Sequence, residues 1–295
     1  MMYIVAFFIC VMAWINVNGN YMSDDQPVFL SANRSFRYGD GLFETMKVTN
    51  HSIALMDLHF NRFFNGLKTL EYKIPIDINS DSLKNEIIKL CHRNGLMNAR
   101  VRLSAWSGEG PIDKSERPFN YLIECTPLQN NSAKKIEKGL QIGLFSKARK
   151  AIDAYSNLKT ASFLIYAIGA KNAMNNQWDD CIILNTNNTV ADTTKANIFI
   201  IKEGSIYTPS LADGCVAGVT RQYILQNLTA DFLFYERSVT LQDLELADEV
   251  FLTNSIRGIQ WVQKFNDSVY TNKLTSEIID HFLLKYKKDL SIREK

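Results

Sequence analysis

Lys159 stands in the stretch SNLKTASFLIYAIGAKNAM, followed within two turns by Phe163, Leu164, Ile165, Tyr166, Ala167 and Ile168. The spacing predicts a helix that is apolar on most faces and begins just after the lysine. An ammonium there meets two penalties: burial disfavours its charge, and the positive end of a helix macrodipole repels it. Both push Lys159 towards a neutral amine, the form that makes Schiff bases with carbonyl compounds. Taken alone, a loop-end lysine that snorkels to solvent is the commoner reading. The decision rests on what else the chain carries.

Four further stretches hold suitable partners. In GVTRQYIL, Gly218 precedes Val219 and Thr220 at the start of an apolar-periodic segment. Free backbone N–H groups at such a helix start, with the Thr220 hydroxyl, form a cup for phosphate. LTNSIRG puts Asn254 and Ser255 at the carboxyl end of a predicted strand, where ligand-contacting turns lie. HFNRF places Arg62 on a helix among apolar neighbours, a fixed guanidinium for an anion. TVADTTKANIFII sets Asp192 among small residues before a buried strand, where a carboxylate can pair with a ring nitrogen or bond a nearby turn. Each has an ordinary alternative: a plain helix start, a plain turn, a surface arginine with a capping histidine, a turn carboxylate. An amine, a phosphate cup, a guanidinium and a carboxylate together are the components of a pyridoxal 5′-phosphate site.

The chain that must position these groups has 295 residues, 46% of them apolar, enough for two domains with ordinary cores. Its 33 basic and 31 acidic residues give a net charge of +2, and no basic run carries interleaved aromatics, which argues against nucleic acid as a partner. The five cysteines are scattered, odd in number and never spaced C-x-x-C, so a disulfide framework or a metal site is not expected, and a reducing, cytoplasmic setting is. The apolar run from Tyr3 to Ile15 is too short to span a bilayer and lacks a basic flank; a start of translation at Met12 is an alternative, as is secretion. No other segment approaches membrane length.

Periodicity predicts hairpins at Trp14–Met22, turning at Asn18-Gly19, and at Phe43–Met56, turning at Asn50-His51. Helices follow over Asp57–Leu70, with Asp57 as N-cap, and over Ser80–Gly95. ARVRLSAWSG and FNYLIECTPL read as strands. Beyond a polar linker come the strand LQIGLFS, the helix after Lys159, three strands between Asp179 and Pro209, a helix from Val219, the strand DEVFLTN and a helix over Ser276–Lys287. The class is α+β in two unequal domains: a small N-terminal α/β domain over 1–128, a linker over 129–138, and a larger domain over 139–295 with a mainly β core flanked by helices.

The stretches FRYGDGLFETMKV, HFNRF, LKTASFL, NNTVADTTKANIFIIKEGSIYTP and GCVAGVTRQYIL resemble, in order and spacing, the class IV (fold-type IV) pyridoxal-phosphate enzymes. That family includes branched-chain and D-amino acid aminotransferases and 4-amino-4-deoxychorismate lyase. The resemblance runs from about Trp14 to Ser255 and implies roles by position. Lys159 would carry the cofactor and shuttle the proton. Arg62, Val219, Thr220 and Ser255, with Asn254 adjacent, would hold the phosphate. Asp192 stands where the family has a glutamate facing the ring nitrogen, one methylene shorter. Phe163 and Leu164 stand where members often carry a tyrosine on the cofactor's phenolic oxygen, and Tyr166 lies slightly too late for that place. Tyr38, Phe43, Thr45 and Arg102 would line the substrate pocket, with Arg102 on a carboxylate. The resemblance also implies a homodimer with its sites near the interface, acting on a small-molecule amine or amino acid.

Within the family, YGDGLFET, with Thr45 after Glu44, is closer to the lyase and D-amino acid branches than to the branched-chain enzymes, and CVAGVTRQ, with Gln222 after the arginine, is similar to the lyase's version. The expected reaction is release of pyruvate from 4-amino-4-deoxychorismate; the alternative is transamination of branched-chain or D-amino acids. A retired member that only binds a ligand through the old site is a third, non-enzymatic reading.

Overall fold

The computed structural model describes residues 13–113, 115–128 and 138–293. The apolar N-terminal run up to Met12 and most of the expected linker lie outside them. The first half of the chain folds into a six-stranded antiparallel sheet, β1 (Trp14–Val17), β2 (Asn20–Ser23), β3 (Leu42–Thr49), β4 (Ser52–Ile53), β5 (Asn98–Trp106) and β6 (Asn120–Pro127), in the order β2-β1-β6-β5-β3-β4. Three helices accompany it: α1 (Arg34–Tyr38), α2 (Met56–Thr69) and α3 (Ser80–Arg93). Both predicted hairpin turns form, with φ of 51° and 84° at Asn18 and Gly19 and 48° and 61° at Asn50 and His51. These left-handed pairs match the strand twist.

Strand alternation divides the labour of this sheet. Met46 and Val48 on β3, with Val101 and Leu103 on β5, pack against Phe60, Phe63 and Leu67 of α2 and Leu83, Ile87 and Leu90 of α3. The intervening residues Phe43, Thr45, Lys47, Arg100 and Arg102 turn to the opposite side. Two helix starts differ from expectation. Leu55, in left-handed backbone without a capping side chain, precedes α2, because the chain enters directly from β4; Asp57 falls in the first turn. Asn79 caps α3 through a capping box with Ser82.

The second half forms a nine-stranded sheet: β7 (Leu140–Lys150), β8 (Asp180–Asn185), β9 (Val190–Thr193), β10 (Asn197–Lys202), β11 (Ser205–Thr208), β12 (Phe234–Glu236), β13 (Glu249–Asn254), β14 (Gly258–Phe265) and β15 (Ser268–Val269). The order is β12-β11-β10-β13-β14-β7-β8-β9, with β15 on β14. Around it lie α4 (Leu164–Asn175), α5 (Val219–Asn227), α6 (Leu241–Glu245) and α7 (Lys273–Arg293). The segment expected to hold three strands holds four, and β14 and β15 had no clear alternation to announce them. Helix α4 is not buried all round: Leu164, Ile168 and Met174 are exposed, while Tyr166, Gly169 and Ala173 face the sheet.

The two sheets are tied where the site lies. Phe43 N–H donates to the Lys159 carbonyl at 3.0 Å and Ala161 N–H to the Gly41 carbonyl at 2.7 Å, bracketing a bridge between Leu42 and Thr160. Ser255 Oγ donates to the Thr45 carbonyl at 2.6 Å. A Cβ on Gly41 would sit 2.6 Å from the Ala105 carbonyl oxygen and 2.4 Å from Ser35 Oγ. Gly41→Ala is therefore expected to cost about 1–3 kcal/mol of stability, as overpacking does. Thermal unfolding of the variant against the parent chain checks this.

Candidate functional site

Lys159 lies in the loop between β7 and α4, its backbone stitched to β3 by the bonds just described. Its ammonium stands 4.4 Å from the Phe43 ring and 5.3 Å from that of Phe163. Burial, reinforced by the nearby positive charges of Arg62 and Arg102, outweighs the attraction of Glu44 and Asp192 and brings the amine down to about 8. The predicted direction is right and part of the predicted cause is wrong. Helix α4 starts five residues later, at Leu164, so what takes water from Lys159 is the seam between the sheets, not an apolar helix.

Arg62 reaches the seam from α2. Its Nε and Nη2 donate to the two oxygens of Glu44 at 2.7 and 2.6 Å, and Nη1 donates to the Ala217 carbonyl at 2.8 Å, just before α5. His59, expected at most to cap the helix, is fully buried and bonds Glu44 through Nδ1 at 2.7 Å. Burial pushes the imidazole below its ordinary value, so it is the neutral ring that donates. Burial alone would raise Glu44; Arg62 and His59 more than offset it and hold the carboxyl at about 2. Glu44, His59 and Arg62 thus form one network, two of whose members sequence reading left without a role. A glutamate on the inward, even-numbered side of an otherwise apolar strand was the available signal.

At the start of α5, Gly218 occupies the N-cap with no side-chain cap, and its Cβ would land 1.8 Å from Asn197 Oδ1. The Thr220 hydroxyl is buried and has no hydrogen-bond partner, and neither has that of Thr253 on β13. Unpartnered buried hydroxyls are costly, so they argue for a polar occupant. Helix start, orphaned hydroxyls and an adjacent guanidinium fit a phosphate group. Asn254 closes the following turn by accepting from Ile256 and Arg257 N–H, next to Ser255.

One cavity of about 1010 Å³ gathers Lys159, Arg62, Asp192, Val219, Thr220, Asn254 and Ser255 with Phe43, Thr45 and Arg102. Tyr38 does not line it: α1 carries this side chain outward, 40% exposed. Arg102 lies flat over Phe43 at 3.7 Å. Asp192, on β9, accepts from Asn197 Nδ2 on Oδ1 at 3.0 Å and from Lys150 Nζ, Tyr166 Oη and Val216 N on Oδ2 at 3.1, 2.7 and 3.0 Å. Tyr166 stays a phenol, raised well above its ordinary value by burial and by Asp192, and its ring stacks on Phe163 at 4.4 Å. Its hydroxyl faces a carboxylate, which no spacing argument indicated.

Residues 41–265 match the model of the amino-transferase class IV family, and the chain belongs to that family. It is a pyridoxal-phosphate-dependent enzyme. The aminodeoxychorismate lyase of Bacillus subtilis is 28% identical over 94% of each chain. A Methanocaldococcus jannaschii protein classed with the branched-chain-amino-acid aminotransferases is 25% identical, over 92% of this chain and 95% of its own. The T.th. branched-chain amino acid aminotransferase, solved with pyridoxamine 5′-phosphate, shares the fold with a TM-score of 0.84 at 20% identity, over 93% of this chain and 94% of its own.

The Glu44 network sets a pH expectation. A carboxyl held below its ordinary value of 4.5 stabilises the fold fully above that pH, and the contribution is lost as pH falls towards 2. Glu44→Gln should flatten this acid limb in thermal unfolding. At neutral pH it should cost on the order of 3–5 kcal/mol by leaving the Arg62 charge unpaired.

Proposed function

We propose that this chain is a lyase that converts 4-amino-4-deoxychorismate into 4-aminobenzoate and pyruvate, a step of folate synthesis. The observation that carries the reading is the cationic wall facing the phosphate cup. Lys47 pairs with Arg100 and Thr45 with Arg102 across β3 and β5, and all four side chains line the cavity, with Lys195 and Arg257 at its rim. Among the described residues none of these five cations forms an ion pair with a carboxylate, and the one carboxylate that attracts Arg102 from a distance is Glu124, opposite it on β6. A branched aliphatic side chain gains nothing from such a wall, whereas a substrate bearing two separate carboxylates does. 2-Oxoglutarate, the co-substrate of the second reading below, shares that feature, and the lyase is preferred for the likeness of YGDGLFET and CVAGVTRQ. The Bacillus subtilis relative supports the same choice.

In this reading Lys159 carries the cofactor and Arg62, Val219, Thr220 and Ser255 hold its phosphate, with Asn254 adjacent. When bound, the cofactor withdraws the electron pair left as a proton departs from the amine-bearing carbon. Lys159, whose amine burial brings down to about 8, takes that proton. The neighbouring C–O bond then breaks, the ring becomes aromatic, and the departing enolpyruvate collects a proton to become pyruvate. Arg102, with Arg100 and Lys47 beyond it, orients the carboxylates; Phe43 and Thr45 form the floor. The reading includes a homodimer, supported by exposed apolar residues Leu30 and Phe36 beside Tyr38, a surface suited to a second copy. Tyr38 would then act from that interface.

A second reading, an aminotransferase acting on branched-chain or D-amino acids with 2-oxoglutarate, is favoured by the Methanocaldococcus jannaschii relative. Incubation with chorismate, an aminodeoxychorismate synthase and glutamine should yield 4-aminobenzoate; turnover of leucine or D-alanine with 2-oxoglutarate, and no 4-aminobenzoate, would select the second reading. Arg100→Ala should raise KM for the lyase substrate by about tenfold with little change in kcat, the mark of lost uniform binding. Thr220→Val should weaken pyridoxal phosphate binding about tenfold, one hydrogen bond to a charged group, by titration of the apoprotein.

A further inference from the structure

We propose that Lys150 is a positioning residue of this site, anchoring Asp192 by its charge and fixing which of its oxygens remains for the cofactor ring. Lys150 ends β7 and is buried, with its ammonium 3.1 Å from Asp192 Oδ2 and 5.3 Å from the Tyr166 ring centre. Its one carboxylate partner among the described residues is Asp192.

The distribution of donors argues for a directing role. Oδ2 of Asp192 receives three of them, from Lys150, Tyr166 and Val216, and so has no capacity left. Oδ1 receives only Asn197 and keeps a lone pair. The acceptor left for a ring N–H is therefore on Oδ1, and Lys150 belongs to the set that decides this. A carboxylate one methylene shorter than glutamate thus remains in place because a lysine anchors it from behind.

This rests on the reading that Asp192 faces the cofactor ring, and a double-mutant cycle separates the two. The readouts are the dissociation constant of pyridoxal phosphate from apoprotein and the absorption maximum of the bound cofactor, for the parent chain, Lys150→Met, Asp192→Asn and the double variant. Lys150→Met is expected to raise the dissociation constant at least tenfold and move the absorption maximum, and Lys150→Arg to restore both to within about threefold. Once Asp192 is neutral, removing the Lys150 charge should cost less than threefold, because its partner charge is gone. An unchanged cofactor in Lys150→Met, or the same loss in the Asp192→Asn background, would overturn the proposal. An unchanged cofactor in Asp192→Asn would overturn the underlying ring contact instead. Should Lys150→Met fail to fold, Lys150→Gln against Lys150→Arg carries the same comparison.

Discussion

A lysine becomes a nucleophile near neutral pH only where holding its charge is expensive, and in this protein that expense is created by a seam. Three backbone and hydroxyl bonds join β3 to the Lys159 loop and to the turn after β13. They place the amine between the ring of Phe43 on β3 and that of Phe163, the N-cap residue of α4. The surrounding charges fall on both sides of the balance: Arg62 and Arg102 discourage the ammonium, Glu44 and Asp192 favour it. Because burial dominates, anything that opens the seam raises the amine back towards its ordinary value. Fold stability and the acidity of this amine are therefore two readings of one contact.

The same seam explains why the anion cup can exist. Arg62 is far from the start of α5 in sequence and arrives there because α2 packs its apolar face, Phe60, Phe63 and Leu67, on the first sheet. Glu44, projecting from that sheet, then fixes the guanidinium from the inner side while Ala217 fixes it from the outer. The guanidinium is thus oriented before any phosphate arrives, which lowers the cost of binding one.

Much of this was legible in the residues. The hairpins at Asn18-Gly19 and Asn50-His51 announced themselves through turn chemistry, α2 and α3 through period and composition, and the strands through alternation. Gathering Lys159, Arg62, Asp192, Thr220 and Ser255 in one cavity also agrees with their expected grouping. What escaped was of a different physical kind. Glu44, His59, Lys150 and Tyr166 do their work through partners 15 to 42 residues away, and no local pattern records which buried polar group will meet which. Tyr38 does not reach the cavity within one chain, since proximity in sequence to Phe43 does not survive the turn at Gly39, where φ is 70°. Helix α4 shows that an apolar sequence need not be a buried one.

Lys150 and Lys159 bracket a single connecting stretch, one at the end of a strand, the other at the sheet junction. Surface loops ordinarily drift in length, because adding residues costs little closure entropy. Here that freedom is absent at both ends. An inserted or deleted residue would shift one cation relative to the other and so spoil the spacing between the proposed reactive amine and the lysine proposed to steady Asp192. Substitution can vary this stretch; changes of length should be rare in working copies of the enzyme.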